Sequence, residues 1–147
     1  MPSFTGNLNV IARCTQMQRE QLLKELNIRG GQVPYLLRLS RFPGLSQEEL
    51  ARALYVNKST VARQITNLEK SGYVERRPST EDRRCLLVYP TEQAQGILPQ
   101  LRAIVHGWNS FLMDELNEEE CEMLQTMMDR IALRAKAYIE REVGWDT

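Results

Sequence analysis

The sequence predicts a mostly helical protein with one small β-hairpin, and three observations carry that prediction. Two amphipathic segments joined by a tight turn lie between residues 46 and 71. A short run of strand formers, a turn-rich loop with basic flanks and a second such run follow, up to residue 90. Longer segments with helical periodicity lie on both sides. This order predicts a winged helix-turn-helix with additional N- and C-terminal helices.

Capping residues define the limits of the two central helices. Ser46 and Glu49 have the spacing of a capping box, in which each side chain accepts a hydrogen bond from the other residue's backbone N–H. Asn57 is the expected cap of the second helix, which runs over residues 58–71. Gly72 then stands where a helix-ending glycine is expected. The two helices are therefore separated only by a tight turn.

The second helix has two different faces. Its apolar positions are spaced by four and then three residues, which directs one stripe towards a core: Val61, Ile65 and Leu68. The other face carries small or hydrogen-bonding residues, two cations and no acid: Lys58, Ser59, Thr60, Ala62, Arg63 and Thr66. Short side chains allow close approach to a major groove, while Arg, Ser and Thr reach base edges and phosphates. The alternative is an ordinary solvated helix face.

The hairpin that follows favours DNA over a solvated face. Its predicted strands are residues 73–77 and 85–89, and the loop at 78–82 is rich in turn formers. Four arginines flank this loop: Arg76, Arg77, Arg83 and Arg84. The minor groove attracts arginine because its potential is strongly negative. An arginine-bearing hairpin beside a groove-binding helix therefore predicts a DNA-binding wing.

Residues 57–94 also carry a recognisable series of motifs. A K-S-T helix opening is followed by L-E-x-x-G-x-V-x-R, by D-x-R and by a threonine-led helix. The residues that supply these motifs are Lys58, Ser59, Thr60, Leu68, Glu69, Gly72, Val74, Arg76, Asp82, Arg84, Thr91 and Glu92. In these motifs the sequence resembles the MarR family of bacterial winged helix-turn-helix transcriptional regulators. The less specific resemblance in helix order and length covers nearly the whole chain.

The resemblance implies a homodimer on double-stranded DNA. Each protomer is expected to place its second helix, the recognition helix, in a major groove and a wing arginine in the adjacent minor groove. By the same resemblance, Asp82 orients a wing arginine, and Arg84 or Arg83 enters the groove. One domain is expected over residues 1–147, with the winged part at 30–90 and helical dimerisation parts at 1–29 and 91–147.

Helical periodicity predicts the flanking elements as well. Residues 4–26 form a first helix whose apolar stripe suits either a dimer interface or a plain core helix, and a second helix covers about 32–42. Thr91 caps a long helix that contains Pro99, and Asn117 caps the last helix. These two C-terminal helices carry more apolar surface than one protomer can bury. Pairing with a twofold mate is therefore expected.

Charge and composition limit the classes of function. The 147 residues carry 19 Lys and Arg against 19 Asp and Glu, so the formal charge is zero. Residues 1–45 have six basic and two acidic side chains, whereas residues 93–147 have five and ten. The acidity thus lies in the tail, away from the predicted DNA face. No signal-peptide-like run and no stretch of about 18 apolar residues occurs, which predicts a cytoplasmic protein.

The sequence contains no motif of an enzyme active site or nucleotide-binding loop, so no catalytic residue and no cofactor is predicted. The single histidine, His106, and three scattered cysteines predict no metal site. Cys14 is a redox candidate because some relatives of the MarR family sense peroxide through a cysteine in the first helix. A buried or incidental thiol is the alternative. Cys85 and Cys121 are expected as small apolar fillers.

The resemblance places a small aromatic or anionic effector between the winged part and the dimerisation helices. Candidate lining residues are Arg13, Tyr35, Arg38, Phe42, Trp108 and Phe111, with ordinary core packing as the alternative. We therefore expect a repressor that binds an inverted repeat with half-sites ~10 bp apart and is released by an effector. The alternatives are a winged-helix protein-interaction module without an operator and a cysteine redox-sensing regulator.

Overall fold

A computed structural model describes residues 3–144, and the chain divides into two compact units, Met1–Val105 and His106–Thr147. The helices and strands are α1 (Phe4–Leu23), α2 (Val33–Arg41), β1 (Leu45–Ser46), α3 (Gln47–Leu54), α4 (Lys58–Lys70), β2 (Val74–Pro78), β3 (Leu86–Pro90), α5 (Glu92–Leu112) and α6 (Glu118–Tyr138). Short 3₁₀ turns at Lys24–Leu26 and Gly30–Gln32 precede α2, and a π-helical turn follows α6. The predicted fold class, mostly α with a small hairpin, is confirmed.

The caps predicted for the central helices are present. The Ser46 hydroxyl accepts a hydrogen bond from the Glu49 N–H at 3.1 Å, and the Glu49 carboxylate accepts one from the Ser46 N–H at 3.4 Å. The Asn57 side chain accepts one from the Thr60 N–H at 2.8 Å. These bonds satisfy N–H groups that a helix start leaves without partners, so α3 and α4 begin where the sequence predicts.

The sheet differs from the sequence prediction in two ways. Both hairpin strands begin one residue later than predicted, and β1 adds a third antiparallel strand in the order β1-β3-β2. This strand has only two residues, Leu45 and Ser46, paired with Val88 and Leu87. The sequence analysis missed it because two residues show no strand periodicity and Ser46 is also a helix cap.

A hydrophobic core lies in the first unit. The predicted α4 stripe of Val61, Ile65 and Leu68 is fully buried in it, together with residues of α2, β3 and α5. Phe42, for which core packing was the alternative to an effector role, lies outside this core and is 42 % exposed, because α2 ends at Arg41 and the chain turns away.

The first helix is shorter and more exposed than predicted. It ends at Leu23, the only buried residue of α1, and residues 24–26 form a 3₁₀ turn instead. Ile11 and Leu22 of the predicted stripe are about half exposed. The stripe therefore does not pack as a plain core helix within this chain.

The second unit buries little of its apolar surface. Among its described residues none is buried, and the large exposed apolar side chains are Phe111, Leu112, Leu116, Met123, Met127, Ile131, Leu133, Tyr138 and Val143. Asn117 caps α6 through the Glu120 N–H at 2.9 Å, as predicted. No helix in the described chain, in either unit, has the length and hydropathy needed to cross a membrane.

The turn between α4 and β2 connects three segments of the first unit. The Tyr73 hydroxyl donates a hydrogen bond to the Leu26 carbonyl, just after α1. The Asn27 amide donates to the Ser71 hydroxyl at 3.3 Å. The Thr91 hydroxyl, which caps α5, donates to the Gly72 carbonyl at 2.6 Å. The end of the predicted recognition helix is therefore held by residues that adjoin α1 and α5.

Gly72 allows this turn because its φ is +83°, a left-handed conformation that other residues rarely adopt. A Cβ at this position would lie 2.7 Å from Oε1 of Gln93. We expect Gly72→Ala to lower the free energy of unfolding by about 1–2 kcal/mol, measured by urea denaturation. Gly96→Ala is the matched control, since Gly96 lies inside α5 with open space around it. It should raise stability by about 0.5–1 kcal/mol. Equal effects of the two variants would contradict this prediction.

Candidate DNA-binding surface

Half of the residues of the predicted α4 face are open to solvent, and none is buried. Lys58, Ser59 and Arg63 are exposed, and Thr60, Ala62 and Thr66 are half-buried. The Ser59 hydroxyl donates to the capping Asn57 side chain at 2.9 Å. The face lies opposite the buried stripe of the same helix, so α4 is anchored on one side and accessible on the other.

A groove joins this helix to the wing, the β2–β3 hairpin with its loop. Lys58 of α4 and Arg84 of the wing both line it, and its volume is about 280 Å³. Two predicted DNA-binding cations from separate elements therefore border one depression. This arrangement can receive a negatively charged, elongated ligand such as a nucleic-acid backbone.

Glu48 also lines the groove, and the sequence analysis did not identify it. One of its carboxylate oxygens lies 4.0 Å from Lys58 Nζ and 3.6 Å from an Arg52 guanidinium nitrogen. All three side chains are more than half exposed, so these ion pairs contribute little to stability. Glu48 partly neutralises the cations of the groove. The i,i+4 spacing of Glu48 and Arg52 on α3 was the available sequence signal.

The wing loop holds one arginine close to its aspartate. Asp82 Oδ1 accepts hydrogen bonds from the Arg84 backbone N–H at 3.0 Å and from its Nε at 3.4 Å. The Arg84 side chain is nevertheless 93 % exposed, and Arg83 beside it is exposed as well. The contact implied by the resemblance is thus present, while a role of these residues at DNA stays a prediction.

The two arginines of β2 face opposite ways. A guanidinium nitrogen of Arg76 donates to Thr66 Oγ1 at 2.6 Å and to the Ala62 carbonyl at 3.3 Å, both on α4. Arg77 pairs with Glu75 and stacks over the Tyr89 ring at 4.4 Å. Strand alternation accounts for the difference, since neighbouring residues point to opposite faces of a sheet.

The candidate effector residues of the first unit have different surroundings. Tyr35 is buried, whereas Arg38 stacks on the exposed Phe42 ring at 4.7 Å. Arg13 lines a separate open depression of about 700 Å³ together with Arg29 and other residues. Burial raises the pKa of the Tyr35 hydroxyl, and the charge of Arg63 partly offsets that rise. The Tyr35 hydroxyl therefore lies within electrostatic range of Arg63 on α4.

In the second unit, the other two effector candidates stack on each other. The ring centroids of Trp108 and Phe111 lie 5.6 Å apart. His106 is exposed, as is Cys14 on α1 in the first unit, so of the two alternatives to a redox role the buried thiol is excluded and the incidental thiol is not. Its neighbours on the same face of α1, Val10, Ile11 and Met17, are exposed as well. Within residues 3–144, no three His, Cys, Asp or Glu side chains are grouped so that they could hold a metal ion.

The fold and this surface define a winged helix-turn-helix protein of the DNA-binding class: a capped, solvent-facing second helix adjoins a hairpin with exposed arginines. Residues 30–86 match the model of the MarR family. An uncharacterised HTH-type transcriptional regulator of Bacillus cereus is 33 % identical over 117 residues, which cover 79 % of this chain and 77 % of that protein.

Solved structures agree with the sequence match. A crystal structure of MarR has a TM-score of 0.82 and 32 % identity, with 92 % of each chain covered. A MarR family transcriptional regulator from Listeria monocytogenes, complexed with 26mer DNA, has a TM-score of 0.88 and 27 % identity over 100 % of this chain and 99 % of that one. The chain belongs to the MarR family and is a transcriptional regulator with a winged-helix DNA-binding fold. Proteins of this family are regulators, not enzymes.

Proposed function

We propose that the protein is a homodimeric repressor that binds an inverted-repeat operator and is released by a small-molecule effector. The observation that carries this proposal is the groove shared by Lys58 and Arg84, which joins the recognition helix to the wing. The exposed Ser59 and Arg63 would contact base edges in the major groove, and Arg84 would enter the minor groove. The solved complex of the Listeria protein with 26mer DNA supports the same type of partner.

Exposed apolar surface supports the dimer. In α6, Met123, Met127, Ile131 and Tyr138 recur at helical spacing, and each is more than 40 % exposed. The α1 stripe is exposed as well: Ile11 is 47 % exposed and Leu22 is 50 % exposed. A second copy of the chain would cover such surfaces, since soluble proteins seldom leave contiguous apolar patches open. We therefore retain residues 1–29 and 91–147 as the dimerisation parts and 30–90 as the winged part.

The hydrogen bonds around Gly72 supply a route for regulation. Leu26 and Thr91 adjoin helices of the proposed dimerisation parts and bind the turn that ends α4. A ligand that shifts α1 or α5 would therefore shift the recognition helix. Release requires only that the ligand bind more tightly to a state of the dimer in which the two recognition helices have the wrong spacing for DNA than to the DNA-binding state. The candidate ligand is a small aromatic or anionic molecule.

Selection from a pool of random DNA duplexes tests the proposal directly. Purified full-length protein is incubated with the pool at about 0.15 M salt, near the ionic strength of the cell. We expect enrichment of a palindrome whose half-sites lie ~10 bp apart, centre to centre. Weak, salt-sensitive retention without a shared sequence would contradict it and favour a protein-interaction module.

The enriched operator then serves to identify the releasing signal. We expect an aromatic or anionic compound to release the complex. Because Cys14 is exposed, peroxide is included in the same screen, with a Cys14→Ser variant as its control. If peroxide releases the unsubstituted protein from the operator but not the variant, the proposal of a ligand-released repressor is wrong and the protein is a redox-sensing regulator.

A further inference from the structure

Arg76 forms a bridge between the wing and the recognition helix. One guanidinium nitrogen donates to the Thr66 hydroxyl at 2.6 Å and to the Ala62 carbonyl at 3.3 Å. Ala62 and Thr66 lie four residues apart, so the bonded atoms belong to neighbouring turns of α4. A charged donor makes stronger hydrogen bonds than a neutral one. Arg76 thus bonds the wing to two groups on the recognition helix.

The surroundings of Arg76 favour this inward position. It shares a strand face with Val74, which is 2 % exposed, and it is itself only half-exposed. Its Nε is shielded from solvent and has no hydrogen-bond partner in the described chain. An unsatisfied buried donor is destabilising, so the side chain is held against α4 at a cost. Reaching DNA would require breaking both bonds to the helix.

Arg84 has the opposite environment. Its side chain is 93 % exposed in the wing loop and bonds, within residues 3–144, to Asp82 two positions earlier. We infer that Arg76 is a positioning residue, which holds the wing at a set angle to the recognition helix so that Arg84 reaches its groove. This inference rests on the proposed function for its effect on DNA, and it revises the sequence prediction that Arg76 itself contacts DNA.

A double-mutant cycle on the full-length protein tests the bridge without DNA. The variants are Arg76→Ala, Thr66→Val and their combination, with hydrogen exchange of the β2 and β3 amides as the readout. We expect Arg76→Ala, which removes both bonds, to accelerate exchange several-fold, and Thr66→Val, which removes one of them, to accelerate it less. The double variant should match Arg76→Ala, because Thr66→Val has no bond left to remove once Arg76 is gone. Thr66→Ser should restore protection, because it keeps the hydroxyl. Additive effects, or unchanged exchange in Arg76→Ala, would overturn the inference.

The effect on DNA is measured with the operator that the unsubstituted protein selects. Arg76→Ala and Thr66→Val should each weaken operator binding by about tenfold, the loss expected for a hydrogen bond to a charged group. The slope of log affinity against log salt should stay unchanged, since no phosphate contact is lost. Arg76→Lys should recover part of the affinity. A slope flattened by about one phosphate in Arg76→Ala, but not in Thr66→Val, would show direct DNA contact and overturn the inference.

The two proposals fail in different ways. If the unsubstituted protein enriches no operator, the proposed function fails, while the exchange cycle still decides whether Arg76 couples the wing to α4. If the operator is found but the cycle shows no coupling, only the positioning role fails. Arg84→Ala provides the contrast, because it should flatten the salt slope and leave the exchange of β2 unchanged.

Discussion

Replacing Ile131 by glutamate is expected to produce a monomer that no longer retains its operator. Ile131 lies in the centre of the exposed α6 stripe with Met127 and Tyr138. A carboxylate there would be buried without a partner if a second copy covers the stripe, and that is strongly unfavourable. A monomer can occupy only one half-site, so operator affinity should fall roughly 100-fold or more.

Light scattering measures the mass of the protein in solution, and titration of the same samples with operator DNA measures the affinity; together they test this prediction. The unsubstituted protein should have twice the chain mass of 17.0 kDa, and Ile131→Glu should approach the chain mass. Thr126→Glu is the matched control, because it adds the same charge on the opposite side of α6, near Glu122 and Asp129. It should remain dimeric and bind the operator normally. A dimeric Ile131→Glu protein would show that the α6 stripe is not the interface.

Arg84→Ala is expected to cost about 1–3 kcal/mol of operator affinity. Its side chain is almost fully exposed and borders the groove with Lys58, so its charge is available to DNA. If the contact is to a backbone phosphate, the salt slope should also flatten by roughly one phosphate equivalent. Folding should be unaffected, since Arg84 packs against no core residue and its ion pair with Asp82 is exposed.

Substitution of a second exposed arginine, away from the wing, controls for the loss of one positive charge. Arg141 is exposed and pairs with the neighbouring Glu142, much as Arg84 pairs with Asp82, but it follows the last helix. Arg141→Ala should leave operator affinity and its salt slope nearly unchanged. Unchanged binding by Arg84→Ala at moderate salt would refute the role of the wing arginine. An equal loss of operator affinity in Arg84→Ala and Arg141→Ala would show that the effect comes from the overall charge of the protein.

Much of the fold could be predicted because its signals are local. The capping bonds of Ser46, Asn57 and Asn117 join residues three positions apart, so each can be recognised within one helical turn. The stripe of Val61, Ile65 and Leu68 follows from helical spacing in the same way. The left-handed glycine after α4 is equally local. The motif series then identified the family before any contact was known.

The candidate site was predicted as a set of residues, and roles in the wing were predicted only for Asp82, Arg83 and Arg84. Arg76 and Arg77 were predicted to bind DNA with no role that distinguished them. In the structure Arg76 is bonded to α4, Arg77 stacks on Tyr89, and Arg84 is open to solvent. These differences depend on partners 10 or more residues away in two of the three cases. Glu48 was missed for a similar reason, since its proximity to Lys58 arises between two helices.

The sequence by itself determined the order of the helices, the starts of α3, α4 and α6, the hairpin, the polar face of α4 and the family, because each depends on short-range hydrogen bonds or on periodicity. Only the tertiary structure decided the pairing of β1 with β3, the exposure of Phe42 and Cys14, and the inward turn of Arg76. The strand pairing and the inward turn of Arg76 result from contacts between segments distant in the chain. Such contacts depend on how the elements assemble, and no pattern within a single helix or strand encodes them.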